Sequence, residues 1–178
     1  MPGPMTYLIT GGARSGKSRH AQKLTEHLGN RQSPPAYFYI ATGWAGDKEM
    51  QSRIERHQQE RGSLWTTIEE QLDLPRALKE AHSRGATAIL VDCLTLWTSN
   101  LMYHKHSLPQ AREALKQAIE AITVPTVFVT NEVGLGIVPE SKLGREFRDE
   151  AGWINQLVGD TVDRVTLVVC GQPLQIKG

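Results

Sequence analysis

At 178 residues, with 20 Lys plus Arg against 19 Asp plus Glu, the chain has room for one domain with a single buried core. Its formal net charge of +1 lacks the basic excess of a protein built to bind nucleic-acid phosphates. Hydrophobic residues at 39% and charged residues at 22% suit a folded globular chain, and two cysteines, Cys93 and Cys170, are too few and too isolated for a disulfide framework or a zinc site.

A reducing, cytoplasmic compartment is therefore the default, and the longest apolar runs, such as Ala88-Ile89-Leu90-Val91, fall far below the ~18 residues that span a bilayer. Met1-Pro2-Gly3-Pro4 lacks the basic flank and apolar stretch of a signal peptide, and residues 1–5 are expected to be disordered. Residues 7–10 read as a short strand and 16–28 as a helix that Gly29 stops. A turn over 30–35 leads to an aromatic-rich strand at 36–41, followed by a polar helix at 47–60 and a strand at 64–69. A helix at 74–83 stops at Gly85, and the apolar run 88–91, ending in Asp92, reads as a strand buried on both faces. Helices at 94–103 and 109–122 follow, then a strand at 126–130, a helix at 140–158 and a strand at 164–169. Residues 174–176 fold back as an antiparallel edge strand, because the link through Gly171 is too short for a parallel crossover. The expected fold is α/β, one unit without linker or repeat, built on a mixed, mostly parallel sheet.

Gly11-Gly12-Ala13-Arg14-Ser15-Gly16-Lys17-Ser18 fits the phosphate-binding pattern G-x-x-x-x-G-K-[ST] directly after a strand and at the opening of a helix. The residue types match the task. Glycines let backbone N–H groups wrap phosphate oxygens, Lys17 counters β/γ charge, and the Ser18 hydroxyl is suited to Mg²⁺. The reading this displaces is a glycine-rich turn with an accidental Lys-Ser. Asp92 ends its strand where a nucleotide-binding protein places the acid for Mg²⁺ or its waters; the competing role is a helix cap.

His57 shares a predicted helical face with Met50 and Ile54, and Arg53 and Arg61 lie four residues to either side. Two readings are open: a core histidine among surface arginines paired with glutamates, or a phosphate-facing histidine in a cationic stripe. The other histidines, at 20, 27, 82, 104 and 106, read as solvated or capping. Trp65, Trp97 and Trp153 read as core or rim aromatics, and Trp44 either stacks on a base or packs against a neighbouring subunit. Residues 130–139 follow a strand at the sheet edge where open α/β folds bind ligands, so Asn131, Glu132, Gly134 and Gly136 either meet a substrate or form a tight loop. No Asn-Lys-x-Asp motif is present, which counts against a GTPase switch.

Together these motifs resemble the bifunctional adenosylcobinamide kinase and adenosylcobinamide-phosphate guanylyltransferase family of cobalamin biosynthesis. The resemblance runs from about residue 7 to the C-terminus. It is carried by the phosphate loop, by Tyr39-Ile40-Ala41-Thr42, and by Arg53-Ile54 with His57, Arg61, Trp65, Thr67 and Glu69. Further on it includes Thr130 to Gly134, Gly136 to Pro139, Arg145, Phe147-Arg148-Asp149, Gly152 and Asn155-Gln156.

The resemblance implies a three-layer P-loop NTPase fold of the RecA-like kind, with the C-terminal antiparallel edge strand, in one domain over 1–178. It implies two reactions: phosphorylation of the aminopropanol hydroxyl of adenosylcobinamide by ATP or GTP, then transfer of GMP from GTP through a guanylyl-histidine to give adenosylcobinamide-GDP. His57 stands at the position of the nucleophile and Lys17 at that of the triphosphate counter-charge. By the same carry-over, Gly11 to Ser18, Thr42, Gly43, Gln58, Gln59, Glu60, Arg61, Glu69 and Asp92 approach the nucleotide, and Ser18 and Asp92 the Mg²⁺. A homotrimer with sites near subunit boundaries is implied, with no nucleic-acid or membrane partner. The readings from other classes are a plain P-loop small-molecule kinase and a RecA-like nucleotide-binding module.

Overall fold

The computed structural model describes residues 5–44 and 62–178; the expected helix at 47–60, with His57, lies outside them. Seven strands form one sheet: β1 (Thr6–Gly11), β2 (Tyr37–Ala41), β3 (Trp65–Glu69), β4 (Ala88–Asp92), β5 (Thr126–Val129), β6 (Arg164–Val169) and β7 (Gln172–Lys177). Their spatial order is β3-β2-β4-β5-β1-β6-β7, parallel throughout except for the antiparallel β6–β7 pair. The described α-helices are α1 (Lys17–Gly29), α2 (Leu74–Ser83), α3 (Leu94–Tyr103), α4 (Leu108–Glu120) and α5 (Lys142–Thr161), and a short 3-10 turn spans Val133–Leu135.

Period-two alternation sorts the central strands between two cores. Leu8, Val91 and Phe128 face α2 to α5, while Ile9, Leu90 and Val129 face Ala21 and Leu28 of α1. These strands are buried on both faces, as their unbroken apolar runs require. Trp97 of α3 is fully buried, and its indole N–H donates to Leu72 O at 2.8 Å, which fixes α3 against the chain that enters α2.

Several expectations need correction. Gly29 is the last residue inside α1 and not a left-handed stop: a Cβ there would lie 2.6 Å from the Tyr37 ring and 3.0 Å from Ala88, so glycine permits close helix-to-sheet packing. The long helix starts at Lys142, where the Ser141 hydroxyl accepts from Gly144 N at 3.0 Å, and ends at Thr161 rather than residue 158. Met5, expected to be disordered, donates its N–H to Asp163 Oδ2 at 2.8 Å.

The edge strand is longer than three residues. Cys170 and Gly171 both have positive φ, 52° and 74°, the requirement of a two-residue type I′ turn, so β6 and β7 pair from the turn outward. No described helix is long and apolar enough to cross a membrane.

Candidate active site

Parallel pairing brings the described members of the expected site to one edge of the sheet. Along it stand Glu69 at the end of β3, Thr42 and Gly43 after β2, Asp92 at the end of β4, Thr130 to Glu132 after β5, and the phosphate loop after β1.

The loop curls because Arg14 and Gly16 both adopt positive φ, 54° and 93°, so that successive N–H groups turn toward one centre. Gly16 caps α1 with no side-chain hydrogen bond, and no acidic residue occupies the first turn, which leaves the helix's positive end to an anion. Lys17 is buried, and its Nζ donates to Gly12 O at 2.9 Å, which holds the ammonium within the curl. Ser15 Oγ is buried and has no partner among the described residues, whereas Ser18 is exposed at the opening.

A support that the sequence reading missed comes from the C-terminal hairpin. Gly171 N donates to Ser15 O at 2.8 Å, and a Cβ on Gly16 would lie 3.2 Å from Gly171 Cα. The β6–β7 turn therefore rests directly on the phosphate loop. Its sequence signal was the Gly171 turn itself, though nothing local names what a turn will touch.

Asp92 is half-buried, and the Tyr39 hydroxyl donates to its Oδ2 at 3.0 Å. Tyr39 lies one strand away, so the phenol orients the carboxylate from β2. Thr42, expected against the nucleotide, is fully buried, and its polar atoms are engaged within the protein. Its hydroxyl donates to Cys93 O at 2.7 Å and accepts from Cys93 N at 2.8 Å; its N–H donates to Asp92 O at 3.2 Å, and its carbonyl accepts from Asn100 Nδ2 at 2.7 Å. Thr42 thus joins β2 to the turn after Asp92, and half-buried Gly43 is the neighbour nearer solvent.

Glu69 is exposed at the strand end. Its neighbour Glu70 is committed elsewhere, accepting from Leu72 N and Asp73 N at 3.0 and 2.9 Å and pairing with Arg76. Burial raises the Glu70 pKa, but these hydrogen bonds and the Arg76 charge more than offset it, and the carboxyl stays below its ordinary value. Gln58, Gln59, Glu60 and Arg61 lie with His57 outside the described residues. His20 departs from the solvated reading, being part-buried on α1, where burial lowers its pKa. Among the tryptophans, Trp153 is half exposed under the Arg112 guanidinium, 5.6 Å from its ring centre, and Trp44 is 65% exposed.

The donors suit a metal carried in by a triphosphate. Ser18 and Asp92 offer oxygen atoms, and the described residues hold no cluster of three or more His, Cys, Asp or Glu that would cage an ion by themselves. Mg²⁺ needs only one or two protein oxygens beside phosphate and water.

Comparison with known proteins agrees with this geometry. Solved structures with the same fold include a KaiC-like protein from Pyrococcus horikoshii, with a TM-score of 0.53 and 18% identity over 92% of this chain and 70% of that one. The flagellar accessory protein FlaH of Methanocaldococcus jannaschii gives 0.54 and 12% over 98% of this chain and 79% of that one. These neighbours share the chain's α/β fold, with its mostly parallel sheet.

Among curated proteins, the bifunctional adenosylcobalamin biosynthesis protein CobP of Pseudomonas aeruginosa is 43% identical over 98% of both chains. CobU of Escherichia coli, also named a bifunctional adenosylcobalamin biosynthesis protein, is 39% identical over 97% of this chain and 100% of its own. The model of the family described as cobinamide kinase / cobinamide phosphate guanyltransferase matches residues 7–176, and the chain belongs to that family.

Proposed function

We propose that the chain, acting as one domain, phosphorylates the aminopropanol hydroxyl of adenosylcobinamide with ATP or GTP and then transfers GMP from GTP to the new phosphate. The observation that carries this reading is the phosphate loop, with Lys17 folded into its curl and an uncapped α1 behind it, in a chain of this family.

In this reading, Lys17 and the loop N–H groups hold the triphosphate, and Ser18 and Asp92 receive Mg²⁺, which when bound draws charge from the phosphate oxygens. His57 is the nucleophile of the second reaction, attacking the α-phosphorus of GTP and releasing pyrophosphate. A neutral imidazole is competent for this near pH 7. Gly43, Glu69 and the segment from Gln58 to Arg61 approach the nucleotide. A homotrimer with sites near subunit boundaries is supported by the apolar exposure beside this edge, where Leu135, Ile137 and Val138 stand 81%, 96% and 60% exposed. The near-neutral net charge supports the absence of a nucleic-acid partner, and the two unpaired cysteines support a cytoplasmic setting.

The test is α-³²P-GTP labelling followed by a denaturing gel. Wild-type protein should carry an acid-labile, alkali-stable GMP adduct, and His57→Asn should carry none while it still phosphorylates adenosylcobinamide. Label persisting in folded His57→Asn would remove His57 from this role, and wild-type protein without any adduct would leave a plain kinase.

A further inference from the structure

The strand that carries the phosphate loop and the strand that carries Asp92 are not neighbours, for β5 lies between them. Strands sit about 4.8 Å apart, so the two sites are separated by roughly 10 Å across the sheet edge. Any triphosphate gripped by Lys17 whose metal reaches Asp92 must cross the end of β5. Three polar residues emerge there: Thr130, Asn131 and Glu132.

They differ in how far the protein already employs them. Thr130 is buried, with its hydroxyl donating to Asn155 Oδ1 at 2.6 Å and lying 3.3 Å from Thr95 Oγ1. Asn131 has its backbone fixed by Thr95 Oγ1 at 2.9 Å and Asn155 Nδ2 at 3.1 Å, while its Oδ1 is a buried acceptor with no partner among the described residues. Glu132 is tied to β1 at two points directly before the loop. Its N–H donates to Gly11 O at 3.2 Å, and its Oε1 accepts from the buried Thr10 hydroxyl at 2.5 Å. Among the described residues no lysine, arginine or histidine pairs with its carboxylate. A carboxylate anchored through one oxygen, lacking a described counter-ion and standing on the path of the phosphates, is placed to accept a proton.

We propose that Glu132 is the general base for the alcohol acceptor of phosphoryl transfer, an inference that rests on the kinase reading above. As the acceptor oxygen bonds to the γ-phosphorus, its proton passes to the Glu132 carboxylate. The bond from the γ-phosphorus to the bridging oxygen breaks, and its electron pair leaves with the nucleoside diphosphate. The proton is released to solvent after the product departs. Thr10 holds the carboxylate in register, and the unpartnered Asn131 Oδ1 is a second acceptor beside the same strand end.

Glu132→Gln tests this, because the amide oxygen still accepts from Thr10 while the base is lost. Two rates are measured in each protein: γ-³²P transfer to adenosylcobinamide and α-³²P-GMP labelling of the chain. General-base loss should lower the first by about 10²–10⁴-fold, and at least about a hundredfold more than the second. Glu132→Asp, which keeps a base on a shorter arm, should recover part of the kinase rate. A Glu132→Gln kinase rate within a few-fold of wild type overturns the proposal. So does a parallel fall of both rates, which would make Glu132 a brace for the loop. Wild-type protein that labels with GMP but never phosphorylates the corrinoid would instead overturn the kinase reading beneath it.

Discussion

Thr42→Val separates two accounts of a fully buried side chain. Valine keeps the shape and both branches, so if Thr42 serves only to fill space the substitution is nearly silent. If it serves as a hydrogen-bonded joint, the loss follows from its partners. Cys93 O also accepts from Trp97 N at 3.2 Å, so it keeps one partner when the Thr42 hydroxyl goes. Cys93 N donates to the Thr42 hydroxyl at 2.8 Å and becomes a buried orphan when that hydroxyl goes. An orphaned buried N–H costs about 1–3 kcal/mol, and a lost second bond at the carbonyl about 0.5–1. The sum is about 1.5–4 kcal/mol, or roughly 5–12 °C in Tm for a chain of this length. Thr42→Ser keeps both hydrogen bonds and removes one methyl, at about 1 kcal/mol.

Thermal melts of the three proteins should therefore rank wild type, then Ser, then Val. Because the Thr42 hydroxyl holds both backbone atoms of Cys93, the residue directly after Asp92, the valine protein should show a raised KM for the metal nucleotide that the serine protein does not. A valine variant as stable as wild type, or more stable than the serine one, would refute the joint.

Thiol chemistry offers a second check. Burial, helped by the Asp92 charge, pushes the Cys93 thiol up to about 11, whereas Cys170 is exposed on the turn that supports the phosphate loop. Iodoacetamide at pH 8 should add one group by intact mass, at Cys170, with Cys93 reacting only after denaturation; two additions at equal rates would contradict this. A third check concerns Asp163, which accepts from Met5 N, Thr6 N and Thr6 Oγ1 at 2.8 to 2.9 Å and joins the start of β1 to that of β6. Burial raises its pKa, but these bonds and the Lys177 charge prevail and hold it below the ordinary value. A depressed folded pKa gives stability that is present above the unfolded value near 3.9 and lost as pH falls through the folded value. Asp163→Asn should cost about 1 kcal/mol at pH 7, small because the group is exposed, and progressively less as pH falls below the unfolded value toward pH 3. An equal Tm offset at both pH values would show that the charge is irrelevant.

What the sequence disclosed follows the range of the interactions involved. The phosphate loop was legible because its chemistry is local: glycines, Lys17 and Ser18 stand in one octapeptide between a strand and a helix. The strands buried on both faces were legible from their unbroken apolar runs, as at Ala88 to Val91. The fold-back of β7 followed from a link too short for a crossover. What escaped depends on partners distant in sequence. Tyr39 reaches Asp92 across 53 positions, and Thr42 reaches Cys93 across 51. Gly29 looked like a helix stop because glycine commonly ends helices, but its neighbour is the ring of Tyr37, which only the folded sheet brings near. The start of α5 slipped by two residues because the cap, Ser141, follows a Pro-Glu pair that also suits a first turn.

Strand order bears on how one phosphate loop can serve two reactions. In the proposed reading the first attacks the γ-phosphorus and the second the α-phosphorus, so the nucleophiles approach different parts of one triphosphate. The sheet edge supplies the base that activates the first nucleophile, and the chain that carries the second, from different strands. Glu132 leaves β5, adjacent to β1, and is bonded to the base of the loop. The chain that leads to His57 leaves from the end of β2, beyond Asp92 as seen from the loop. Lys17 and Asp92 then act in both reactions, as fixed points between which the nucleotide lies, and only the attacking group changes. On this account the two activities are separable by mutation at the base of the first attack or the nucleophile of the second, and inseparable at the fixed points. Glu132→Gln and His57→Asn should each remove one reaction, while loss of the Lys17 ammonium should impair both.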